Sequence, residues 1–149
     1  SLYFGAGYND EAIDYLNRII HLKMELRIDL QCYARLLHLI AHFELGNHQL
    51  LPYLIKSVYR YMAKMDNLTH VEEAMLRFLR QSLPLTVQEL QPLLQQLLHQ
   101  LKKYEHRVSE ARAFAYLDVV SWLESKIAQV PVETIIRQKF LARLATAQQ

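Results

Sequence analysis

His38 and His42 stand four residues apart, the spacing at which two imidazoles on one helix face can ligate a zinc ion. A zinc hydrolase of this pattern carries a glutamate directly after the first histidine, where it serves as general base. Here that position is Leu39, and no third ligand is evident, so neither a metal nor a cofactor is expected. The pair belongs instead to a longer polar stripe. Gln31, Arg35, His38 and His42 step by four, three and four, so they share a narrow face. A cationic, hydrogen-bonding stripe of this kind could clamp a peptide carboxylate or an acidic side chain. The ordinary alternative is a solvated helix face.

Lys56, Arg60 and Lys64 make a second stripe, with Tyr53 one turn before it and Arg77 and Arg80 on the next helix extending the patch. Basic residues interleaved with Tyr59 and Tyr61 would suit phosphate contacts and base stacking. The charge balance argues against nucleic acid: 17 Lys and Arg stand against 15 Asp and Glu, a net charge of +2. Glu73 can also pair with Arg77 at i,i+4. No two carboxylates stand out as an acid/base pair. Glu72 and Glu73 are adjacent and point apart. Asp118 shares a face with Ser121 and Ser125, which reads as the wet side of its helix. A Gly-rich phosphate loop, a GxSxG elbow and a Cys/His pairing are all missing, so an enzyme is not expected.

The elements that would position these residues are helices. The chain has 149 residues, 52% of them hydrophobic, with only 3 Gly and 4 Pro, too few breakers for the turns of an all-β fold. Cys32 is the only cysteine, which excludes an internal disulfide and suits a reducing, cytoplasmic setting. No run of about 18 apolar residues lacks charge, so no membrane span is expected.

Apolar spacing predicts about seven helices. Asn9-Asp10 can cap one running to Ile20, with Ile13, Leu16, Ile19 and Ile20 on its face. Asp29 to Leu45 is apolar around most of its circumference and stops at Gly46, the residue suited to the left-handed position after a helix end. A third helix begins near Leu51-Pro52 and runs to Met65. Thr69 with Glu72, and Thr86 with Glu89, are capping boxes that open two more. Ser109 to Gln129 reads as one long central helix through Ala113, Tyr116, Leu117, Val120, Leu123 and Ile127. Pro131 stands in the first turn of a last helix, whose Ile135, Ile136, Phe140, Leu141 and Leu144 predict a buried face.

Tyr3, Gly7, Ala12 and Leu16 occur in the order and spacing of the back half of a tetratricopeptide repeat, and "DEAIDY" is close to how the second helix of such a repeat begins. The chain resembles that family there, over about 20 residues. A weaker likeness, in "HFELGNHQLLPYLIKSVYRYM", places Gly46 39 residues after Gly7, against the usual period of about 34. The Trp-x-x-Leu-Gly part of the motif would precede Ser1, Met24 stands near the place of the terminal Pro, and Leu51 replaces the small Ala of the second copy. The resemblance implies an all-α array of helix pairs, a right-handed α–α superhelix in one domain, 1–149. Residues 1–65 would be repeat-like and 66–149 a divergent cap. It further implies the C-terminal part of a longer bacterial scaffold protein that binds a peptide or partner helix in a helix-lined groove and performs no chemistry. Aligned on Gly46, its groove positions would fall near Tyr33, Leu36 and Ile40.

The residues expected to contact a partner are therefore Gln31, Arg35, His38 and His42, followed by Lys56 and Arg60. The partner would be a protein or peptide, which includes the rest of a longer parent chain. A repeat cut at its start would also leave apolar surface near Ile13, Leu16 and Ile20 for self-association. A nucleic-acid or regulatory domain using the basic patch, and a helical bundle with an internal ligand or active site, are the rival readings.

Overall fold

A computed structural model describes residues 9–21, 28–65, 68–107, 110 and 118–148. These residues form seven helices and no strand: α1 Asn9–His21, α2 Ile28–Glu44, α3 Leu51–Lys64, α4 His70–Ser82, α5 Val87–Tyr104, α6 Val119–Ala128 and α7 Val132–Ala147. The fold is all-α. Each helix packs on the next along the chain, from α1 on α2 through to α6 on α7.

Local chemistry explains where most of these helices start and stop. The Thr69 hydroxyl accepts the amide of Glu72 at 3.1 Å, and the Glu72 carboxylate accepts the amide of Thr69 at 3.4 Å. Thr86 and Glu89 repeat the arrangement at 3.3 and 3.2 Å. Both capping boxes therefore form as the sequence predicts and satisfy amides left unpaired at a helix start. At the end of α2, Gly46 adopts φ +74°. The amide of Asn47 then reaches the carbonyl of His42 and that of Gly46 the carbonyl of Phe43, the two bonds of a Schellman ending. Leu51 and Pro52 open α3, as expected.

Other expected boundaries differ. Asn9, expected as a cap, is itself helical. The range expected as one helix, Ser109–Gln129, is interrupted at Asp118, whose carboxylate accepts the amide of Ser121 at 2.9 Å and caps a helix that starts at Val119. Ala113, Tyr116 and Leu117 lie outside the described residues, as do Tyr3 and Gly7 of the repeat motif. Pro131 precedes α7 as its cap and does not stand in its first turn.

One apolar core runs from Leu16 of α1 to Trp122 and Leu123 of α6. Helices distant in sequence meet in it. Phe43 of α2, Phe78 of α4 and Trp122 of α6 form a ring triangle with centroids 6.0 to 6.5 Å apart. The Trp122 indole donates to the Glu44 carboxylate at 2.7 Å and Lys126 donates to its other oxygen at 2.8 Å, so α2 is tied to α6 directly. Ala12 and Leu16 are buried, and Ile19 and Ile20 pack against the core. Of the apolar surface expected at Ile13, Leu16 and Ile20, Leu16 is buried within the chain, while Ile13 and Ile20 are half-buried.

Most of the predicted inner face of α7 is outside, and only Ile135 of it is half-buried. No residue of α7 is buried, and Ile136, Phe140, Leu141 and Leu144 are all exposed. The helix meets α6 through another side, where Val132 touches the core and Lys139 donates to Ser121 Oγ at 2.8 Å and to Glu124 at 2.7 Å. Residues 140 and 144 lie roughly a quarter turn or more around the helix from that side, and residue 136 about half as far. Of the Asp118–Ser121–Ser125 side, read as wet, only Asp118 is exposed, and Ser121 and Ser125 are buried. Ser121 donates to Asp118 at 2.6 Å and receives Lys139, while Ser125 donates to the Trp122 carbonyl, so each buried hydroxyl is satisfied.

Candidate functional site: a cationic groove between two helices

The two basic stripes have opposite fates. Gln31, His38 and His42 of α2 are each only 9% exposed, so this face is neither solvated nor an open clamp. Arg35 is half-buried, with its guanidinium 3.9 Å above the Tyr61 ring of α3. His38 and His42 meet edge to face at 4.5 Å. Asn47 donates its side-chain amide to His42 Nδ1 at 2.9 Å, which fixes that nitrogen as an acceptor and braces the turn after Gly46. Burial holds the His42 pKa below the usual histidine value. Among the described residues no three His, Cys, Asp or Glu side chains gather as metal ligands would. Tyr33, Leu36 and Ile40, the groove positions implied by the repeat likeness, are core residues.

The second stripe faces outward and gains partners from the next helix. Lys56 and Arg60 of α3 line an open groove of about 400 Å³ together with Arg77 and Arg80 of α4. Its floor is apolar, built on the buried Ile55 and Leu76 with Pro52 at one end. Tyr59 forms part of the wall. The spacing explains the convergence. Residues 56 and 60 are one turn apart on α3, and 73, 77 and 80 follow one edge of α4, so packing α3 on α4 brings the two edges together. Lys64 is exposed but does not reach the groove, and Tyr61 is engaged beneath Arg35.

Glu73 is the one carboxylate in the lining, and it accepts Arg77 at 3.2 Å. Four cations against one carboxylate leave three positive charges in excess, more than the net +2 of the whole chain. The positive field is therefore concentrated here. Ile55 and Leu76, which supply the apolar floor, have no signal in the sequence beyond core spacing, which does not show that a groove opens above them, and Pro52 reads there only as a helix start. A second, smaller groove of about 200 Å³ lies on the other side of α4, against α5, and is lined by Gln81, Gln96 and Gln100. No motif or spacing in the sequence singles those glutamines out.

Among the described residues no helix is long and apolar enough to cross a membrane. Comparison with known proteins gives no family model, curated protein or solved structure that matches the chain.

Proposed function

We propose that this chain is a protein-interaction module whose α3–α4 groove takes an acidic segment of a partner protein, without reaction chemistry of its own. The observation that carries the reading is the convergence of Lys56, Arg60, Arg77 and Arg80 on one open groove with an apolar floor. Such a floor accepts the aliphatic parts of a peptide while the rim pairs with its carboxylates. The burial of Ala12 and Leu16, both in the repeat-like stretch, supports a tetratricopeptide-type scaffold as the class of protein.

Magnitudes limit what charge can do. An exposed ion pair contributes roughly 0.2–1 kcal/mol, so four such pairs give a few kcal/mol at most. Apolar contact with Ile55, Leu76 and Tyr59 must add to them for a useful affinity. A fluorescein-labelled glutamate-rich peptide of about twelve residues, titrated at low and at physiological salt, tests the reading. It should bind the native chain, weaken with salt, and weaken about tenfold or more with Arg60→Glu/Arg80→Glu. A mixed-sequence single-stranded oligonucleotide that binds more tightly than the peptide would overturn the reading in favour of nucleic acid.

A further inference from the structure

The two grooves flanking α4 are not independent. Arg77 lines both of them. On one side are Lys56, Arg60 and Arg80, and on the other Gln81, Gln96 and Gln100, so charge gives way to neutral amides across a single helix. The floor changes little: Leu76 and Ile55 underlie the first groove, Ala74, Phe78 and Leu97 the second, all of them buried. Packed helices lie about 8–10 Å apart. An extended chain advances roughly 3.3–3.6 Å per residue, so about three residues carry it from one groove to the next.

Resting on the groove reading above, we infer that α3, α4 and α5 form one continuous track for an extended peptide in two parts. An acidic part lies over Lys56, Arg60 and Arg80. An adjoining part of about three residues, with its backbone amides free, lies over Gln81, Gln96 and Gln100. The class of ligand follows from the donor set. Each glutamine side chain offers both an N–H donor and a carbonyl acceptor, the same pair that a peptide unit presents in reverse. A phosphodiester offers acceptors only and would leave every glutamine carbonyl unused. Arg77, already held by Glu73 at 3.2 Å, forms the ridge between the halves and contributes a donor to either side. The track thus selects its partner twice, by side-chain charge in one half and by an unblocked backbone in the other.

Three end-capped, fluorescein-labelled peptides test this at low salt: four glutamates alone, four glutamates joined to four alanines in either order, and the better of these with its alanine amides N-methylated. The extended peptide in one order should bind about tenfold more tightly than tetraglutamate. N-methylation should remove that gain, and so should Gln96→Ala/Gln100→Ala, while tetraglutamate binding to the variant stays unchanged. Because Gln96 is exposed and Gln100 only half-buried, circular dichroism of the variant should match the native chain. If tetraglutamate binds and extension in either order adds nothing, the continuous track is wrong and the cationic groove stands. If neither tetraglutamate nor the twelve-residue glutamate-rich peptide binds, both readings fall.

Discussion

Thr69 and Thr86 make the same motif in different surroundings, which lets one residue type report on burial. The Thr69 box is buried, and the neighbouring amide of Val71 is taken by the buried Glu110 carboxylate at 2.8 Å, so the start of α4 has little water to fall back on. The Thr86 box is exposed. Its Glu89 carboxyl is held below the usual glutamate pKa by the backbone amide of Thr86 and then by the Thr86 hydroxyl. Thr69→Ala should cost about 1–2 kcal/mol and Thr86→Ala about 0.5–1 kcal/mol, measured by urea denaturation. Equal costs would mean that burial adds nothing to the cap. His42 makes a second prediction at this scale. Its pKa is lower folded than unfolded, because burial disfavours the charged ring. The unfolded chain therefore binds more protons as pH falls below about 6.5, and stability should decline in that direction. His42→Gln should flatten that part of the pH–stability curve, and an unchanged slope would show that other groups cause it.

The helices themselves were legible where a signal is local. The two capping boxes and the Gly46 ending depend on residues within four positions of each other, and all three form as the sequence predicts. Signals that need a neighbour were misread. Asp118 with Ser121 three residues on is a cap, but the same letters on a continuous apolar helix look like a wet stripe. Ile136, Phe140, Leu141 and Leu144 give α7 an apolar side, yet helical periodicity cannot say whether another element covers it. The Gln31–His42 stripe reads in sequence as the one polar face of a greasy helix, whereas α2 is packed so closely that Gln31, His38 and His42 are buried and Arg35 is half-buried. Thermal or chemical denaturation separates the two kinds of apolar residue. Trp122→Ala, at the meeting point of α2, α4 and α6, should cost about 3–5 kcal/mol. Phe140→Ser, on the open side of α7, should stay within about 0.5 kcal/mol of the native chain. A large loss at Phe140 would show that its face is covered in solution.

At the scale of the whole molecule, the array sorts its charge by position. The first cationic stripe is drawn inward and spent on structure, through the Tyr61 ring and the Asn47 turn. The second is joined by arginines of the following helix and left open. Half of the candidate site was therefore visible in sequence as residue types: Lys56 and Arg60 stood out, with Arg77 and Arg80 as an extension. Which of the two stripes would face outward was not visible, because that depends on how α1, α2 and α3 pack. The most direct test is a two-dimensional NMR titration of the labelled chain with the glutamate-rich peptide. Saturable shifts should centre on the amides of Lys56, Arg60, Arg77 and Arg80. Shifts confined to Ile136, Phe140 and Leu144 of α7, or to the α2 stripe, would contradict a binding site between α3 and α4.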